Sequence, residues 1–161
     1  MNKHGKKLVG IICVAALLQA CNQQTDHAKV EADVAKAEAA AQKNVIDAQA
    51  KLDQVVAANN KDLVGAQADA QRDAANNTNA PPPEANAEIA KARSNAELKV
   101  ADAQFDVDKA KAEGIQKIAE ARCEDQVGEA NKACTATAKA NYDLAVAQAK
   151  AKNDLEHAAH K

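Results

Sequence analysis

Two pairs of residues, a lone cysteine and a terminal lysine are the places in this 161-residue chain where residue type and spacing could do chemistry. Cys21 closes the stretch "LLQAC", at the end of the apolar run "LVGIICVAA" and directly before the polar "NQQTDHAK". Cys123 and Cys134 stand near each other in "ARCEDQVGEANKACTA". On one unbroken helix their Cα atoms would be about 16 Å apart, whereas a disulfide needs roughly 4.4–6.8 Å. Either the helix breaks between them or they do not pair with each other. Gly128, between the two, suits a left-handed C′ position, and a helical hairpin with the bridge across its neck satisfies both conditions. As metal ligands the two thiols lack a C-x-x-C spacing or a nearby histidine. His157 and His160 stand at i, i+3 beside Glu156 and could share a metal; the simpler reading is solvated residues complementing a helix C-terminus. No cysteine has a base and an orienting group beside it, and no glycine-rich phosphate loop or G-x-S-x-G is present. The expectation is a protein with no catalytic site, no cofactor and no metal.

The elements that must position these residues follow from composition. Hydrophobic residues make up 47% of the chain, but alanine supplies more than half of them, and Phe105 and Tyr142 are the only aromatic side chains. Alanine buries little area, at roughly 25 cal/mol per Å², yet it has the highest helix propensity, and Lys, Glu and Gln also rank well. The expected fold is therefore all-α, elongated and coiled-coil-like. The 21 basic and 23 acidic residues alternate and form no block. Such a pattern lacks the basic footprint that nucleic acid requires.

Periodicity divides the chain. Val30, Val34, Ala37, Ala41, Val45, Ala48, Leu52, Val55, Asn59, Leu63, Ala66 and Ala70 form one stripe of about 3.6 residues per step, the period of a straight helix. It predicts a long helix over 27–77, about 75 Å in length, after a polar linker at 21–26. Pro81-Pro82-Pro83 stops it, within an Asn/Pro turn at 78–83. A hairpin over 84–161 follows. Its first helix carries Ile89, Ala92, Ala96, Val100, Ala103, Val107, Ala110, Gly114, Ile118 and Ala121, widened by Leu98, Phe105 and Ile115. Its second carries Ala140, Leu144, Ala147, Ala151, Leu155 and Ala158. These stripes can be covered within the chain or by identical copies, and the pattern does not separate the two.

The first twenty residues read as an export signal. "MNKHGKK" has three lysines, and the run "LVGIICVAALLQA" that follows, apolar apart from Gln19, spans only about 20 Å, too short for a ~30 Å hydrocarbon core. Leu18 at −3, Ala20 at −1 and Cys21 at +1 resemble the lipobox of bacterial lipoproteins. That resemblance implies removal of residues 1–20, diacylglycerol and a further acyl chain (such as palmitate) on Cys21, and membrane attachment through that lipid. Cys13 would be discarded with the signal. Asn22, by the same family's rule, leans toward the outer membrane with the body facing the periplasm; the inner membrane, which an aspartate there would favour, is the alternative. In an exported chain the Cys123–Cys134 bridge is the expected state.

Two further resemblances bear on role. Arg122-Cys123, Gly128 and Cys134 form an R-C-x(4)-G-x(5)-C element between helices, which resembles small Ala/Lys-rich exported proteins of Gram-negative bacteria without an assigned activity. The lipid-modified cysteine, Ala-rich helical body and terminal Lys161 resemble the murein lipoproteins, implying Lys161 as a candidate attachment point to peptidoglycan. Here the triple proline and the cysteine hairpin depart from that family. The sequence-level expectation is a non-catalytic, lipid-anchored envelope protein acting as a periplasmic spacer or helical interaction partner. Its partners would be the membrane, a second copy or another envelope helix, and peptidoglycan if Lys161 is joined to it. A small regulatory or inhibitory lipoprotein is the remaining class.

Overall fold

The structure is a computed structural model that describes the backbone of residues 9–76 and 83–160, with side chains over 27–76 and 86–160. It contains three helices, α1 (Val9–Asn76), α2 (Pro83–Cys123) and α3 (Glu129–Ala159), and no strand among the described residues. The all-α fold is as the composition requires. Residues 21–26, expected as a linker, are instead part of the continuous α1. Nothing in "CNQQTD" breaks a helix, since it holds neither Gly nor Pro. The turn at 78–83 falls largely outside the described residues, except that Pro83 belongs to α2 and is its first residue. That is the N1 position, where the absent N–H has no helical partner to lose.

α1 and α2 pack antiparallel in straight register. Ala41 of α1 lies against Gly114 of α2, and further along Asn59 of α1 meets Ala96 of α2. The two contacts are separated by the same length of chain on both helices. At the near end His27 Nδ1 is 3.0 Å from Asp125 Oδ1, just past α2. The long stripe of α1 is the face that makes this contact: every residue of it is shielded, and Ala41, Leu52 and Asn59 are buried. Its counterpart on α2 is shielded in the same way, with Val107 at 0% exposure the most enclosed side chain. Leu52, Ala103 and Val107 form the central cluster, with Ala48, Val55 and Val100 around it. Leu98 and Phe105 are half-buried, but Ile115 is 66% exposed and does not widen this face.

With so few large side chains, adhesion depends on close approach. Gly114 has no Cβ, and one built there would sit 2.7 Å from the Ala41 Cβ. Asn59 is the one buried polar residue among those described; its Nδ2 donates to the Ala96 carbonyl at 2.8 Å. A satisfied amide inside an apolar stripe penalises any slip, because a displaced Asn59 would be buried without a partner.

Among the described residues α3 packs on α2 and not on α1. The three helices thus form a flat layer with α2 in the middle. Elongation follows from the one-layer arrangement.

Two glycines inside helices should respond oppositely to the same substitution. Gly65 faces open space. Gly65→Ala should therefore raise stability by about 0.5–1 kcal/mol through helix propensity. Gly114→Ala gains the same propensity but forces α1 and α2 apart, at a cost of about 1–3 kcal/mol. A lowered thermal midpoint for Gly114→Ala beside a raised one for Gly65→Ala is the expected result; a rise in both would show that the helices do not meet at Ala41.

Candidate functional site

Cys123 is the last residue of α2 and Cys134 sits in the second turn of α3; they form a disulfide with a Cα–Cα distance of 5.6 Å. Between them the chain reverses without a tight glycine C-cap. Glu124, Asp125 and Gln126 donate their N–H groups back to the carbonyls of Ala121, Arg122 and Cys123. Gly128 does adopt the left-handed φ expected of it, +64° with ψ −132°, but as the N-cap of α3 and not as the C′ residue of α2. Asn131 Nδ2 donates to the Cys123 carbonyl at 2.7 Å, so the end of α2 is held both covalently and by a hydrogen bond. Cys123 is almost completely buried. The bridge closes a short loop, which is worth about 3 kcal/mol in the loop-entropy account.

The far end of α3 is tied down by polar groups. His157 Nε2 donates to Asp102 Oδ1 at 2.8 Å, and Asn153 Nδ2 donates to the same oxygen at 3.0 Å. His160 Nε2 is 3.4 Å from Glu97 Oε2, and its Nδ1 shares a hydrogen bond with Ser94 Oγ at 3.3 Å. The two histidines therefore bind α2 carboxylates separately, besides lying in the last turns of α3. No group of three or more His, Cys, Asp or Glu that could hold a metal is assembled among the described residues. The Asp102 carboxyl is held below the usual carboxylate range, first by the Asn153 donor, then by His157 as donor and as charge. Asn153 Oδ1 is buried without a partner among the described residues.

These two attachments fix the rotation of α3. The face turned to α2 runs Asn131, Cys134, Thr135, Ala138, Tyr142, Ala145, Val146, Ala149, Asn153, His157 and His160. The apolar stripe Ala140, Leu144, Ala147, Ala151, Leu155 and Ala158 is exposed along its whole length, Leu144 at 59% and Leu155 at 71%. At ~100° per residue the stripe lies about 100° around the helix from Cys134, so it cannot point at α2 while the bridge is closed. Asn131 turns it further away. Between α1 and α3, over α2, runs an open groove of about 480 Å³ with Val56, Leu63, Val100 and Phe105 among its lining residues.

The positions expected to carry chemistry fall into two groups. Cys123 and Cys134 are joined as expected. Cys21, Lys161 and the leader 1–20 lie outside the residues whose side chains are described. No helix among the described residues is long and apolar enough to cross a membrane. What the stripe reading missed is the inner face of α3. The signal was present in the sequence, since the phase of Cys134 disagrees with that of Leu144 and Leu155. The fold defines a class, an all-helical layer with a disulfide at the neck of its second hairpin. Beyond that class, no family model, no curated protein and no solved structure matches the chain.

Acid should loosen the outer end of α3. A carboxyl whose pKa is lowered on folding stabilises above its ordinary value and ceases to do so as pH falls through the lowered one, here below about pH 4. Because the Asp102 pair is largely exposed, the effect is local and worth less than about 1 kcal/mol. Amide exchange in 153–159 should accelerate below about pH 4 beyond the intrinsic pH dependence. Asp102→Asn should show the fast exchange already at neutral pH, and unchanged protection in both cases would remove this contact from the account. Cys134→Ser should cost about 3 kcal/mol of stability and free the α3 segment first. Proteolysis beginning in α1 instead would contradict that order.

Proposed function

We propose that this chain is a non-catalytic, lipid-anchored cell-envelope protein that acts as a periplasmic spacer or helical interaction partner, attached to the outer membrane through Cys21. The observation that carries the reading is "LLQAC" after a lysine-rich start and a short apolar run, the pattern that resembles the lipoprotein lipobox. Two or three buried acyl chains at about 0.8 kcal/mol per CH₂ suffice for stable attachment.

The geometry supports a spacer. The contact between His27 and Asp125 brings the disulfide neck beside the part of α1 that holds His27, and so near Cys21. From there α1 runs about 75 Å to Asn76. α3 runs back outward for about 45 Å and ends at His160 beside Ser94 and Glu97, short of the Pro83 end of α2. Extended helical faces and an open groove are suited to lateral contacts with other helices. Removal of residues 1–20 takes Lys3, Lys6 and Lys7 but no acidic residue, so the remaining chain is more acidic and gives no attraction to nucleic acid.

Radiolabelled palmitate should enter the full chain and not the Cys21→Ser variant, and the labelled protein should fractionate with the outer membrane. Equal labelling of both, or of neither, overturns the anchor. Digestion of purified sacculi should release no muropeptide carrying Lys161; finding one would replace the spacer reading with a peptidoglycan tether.

A further inference from the structure

We propose that the outward stripe of α3 is a self-association surface, by which two copies of this chain pair their α3 helices in parallel. The proposal rests on the interaction reading above and names the partner and the surface for it.

The long apolar stripes of α1 and α2 cover each other, whereas the stripe of α3 that holds Leu144 and Leu155 is uncovered among the described residues. Ala140, Leu144, Ala147, Ala151, Leu155 and Ala158 face away from α2, while the face used within the chain combines Ala138, Tyr142 and Val146 with the polar Asn131, Asn153, His157 and His160. The disulfide and the Asn131 hydrogen bond hold that rotation, so α3 cannot turn to cover its leucines without breaking them. An amphipathic helix held with its apolar side outward gains from any matching apolar helix, and its alanines permit close approach.

The occupant follows from pattern and charge. The stripe reads Ala-Leu-Ala-Ala-Leu-Ala with no charged residue along its centre. In a parallel pair each leucine meets its own copy, with alanine layers between. The charged residues of α3 are Glu129, Asp143, Asp154 and Glu156 against Lys132, Lys139, Lys150 and Lys152, so the helix is neutral apart from His157, whereas α1 from His27 onward and α2 each carry an acidic excess. A neutral surface neither repels an identical copy nor attracts a strongly charged partner. Orientation is set by the flanks. Asp143, Lys150 and Asp154 line one side of the stripe, and Thr137, Asn141 and Gln148 line the other. An antiparallel pair with Leu144 opposite Leu155 would bring the two Lys150 side chains together near the axis. A parallel pair sets the charged flank of one copy against the amide flank of the other.

Area limits the strength. From Ala140 to Ala158 the stripe is about 27 Å long, and at a helix width of about 10 Å it hides only a few hundred Å² per copy. That falls below the roughly 1,200 Å² of a stable interface, so the pair is weak in dilute solution and forms where copies are concentrated. Copies anchored by the same end to one membrane are concentrated and already parallel.

The test uses the full exported chain with its disulfide intact. Sedimentation equilibrium should show a concentration-dependent monomer–dimer equilibrium in the range of roughly 10 μM to 1 mM. The double variant Leu144→Lys, Leu155→Lys should weaken it at least tenfold, with unchanged helicity and thermal midpoint because both leucines are exposed in the monomer. Ala147→Cys should cross-link to itself under mild oxidation, while a mixture of Ala147→Cys and Ala151→Cys should give no excess of the mixed product. A monomer throughout this range, or a dimer indifferent to the double variant, overturns the proposal. An excess of the product joining position 147 of one copy to position 151 of the other overturns the parallel arrangement. In cells, cross-links from α3 to a different protein alone would overturn self-pairing and leave the interaction reading standing, whereas cross-links to nothing from any helix would remove that reading too.

Discussion

The Cys123–Cys134 bridge is the constraint on which the rest of this molecule depends. It does three things at once. It adds a covalent tie to the reversal that Asn131 also holds, in a chain with one Phe and one Tyr. It returns α3 alongside α2 on the side away from α1, which makes the fold a layer and not a bundle. It also sets the rotation of α3, since Cys134 has to face Cys123. A bundle would have covered the leucines of α3 in a shared core. The layer leaves them outside.

The pairing of α1 with α2 is stabilised differently. Its residues are small, so no single contact is strong, and the energy comes from length: shielded positions recur at every turn from Val30 to Ala70. Such an interface has a specificity problem, because alanine against alanine looks much the same at every register. Two features resolve it. Gly114 accepts Ala41 where any side chain would clash, and Asn59 demands the Ala96 carbonyl. Both fix the same register, and a one-turn slip would violate each of them. Low complexity in sequence therefore coexists with a defined register.

How much of this was legible in the sequence depends on which period was being read. The stripes along which α1 and α2 meet are legible residue for residue, because each is the apolar face of a long helix turned to the other and the 3.6-residue pattern reports that directly. Ile115 departs because it lies off the α1-facing side of α2, where α3 does not cover it. The cysteine spacing leaves either a break in the helix or no pairing, and Gly128 between them together with the oxidation expected of an exported chain favours the hairpin that the structure contains. The sequence suggests Gly128 as the end of α2, whereas the Asn131 side chain holds that end and the left-handed residue serves the start of α3. The polar stretch after Cys21 has the composition of a linker, although nothing in it opposes helix. The inner face of α3 is not legible as a regular apolar pattern, because its apolar stretch of Ala138, Tyr142, Ala145, Val146 and Ala149 is flanked by polar groups. The partners of Asn153, His157 and His160, which are Asp102, Glu97 and Ser94, belong to the preceding helix and are remote in the chain.

That mixed inner face changes what α3 can be. Its docking draws on a covalent bridge, a short apolar stretch and hydrogen bonds, weaker toward the end far from the bridge, so Leu144 and Leu155 are not used in it. The arrangement here is graded in that way: covalent at Cys134, aromatic and aliphatic around Tyr142 and Val146, hydrogen-bonded at Asn153, His157 and His160. Hydrogen bonds between partly exposed groups contribute little each, yet they are directional. They orient the last turns of α3 without drawing on its leucines. The exposed stripe is thus the consequence of how α3 is held, and a protein with so few large apolar side chains leaves Leu144 and Leu155 on the outside of its shortest helix.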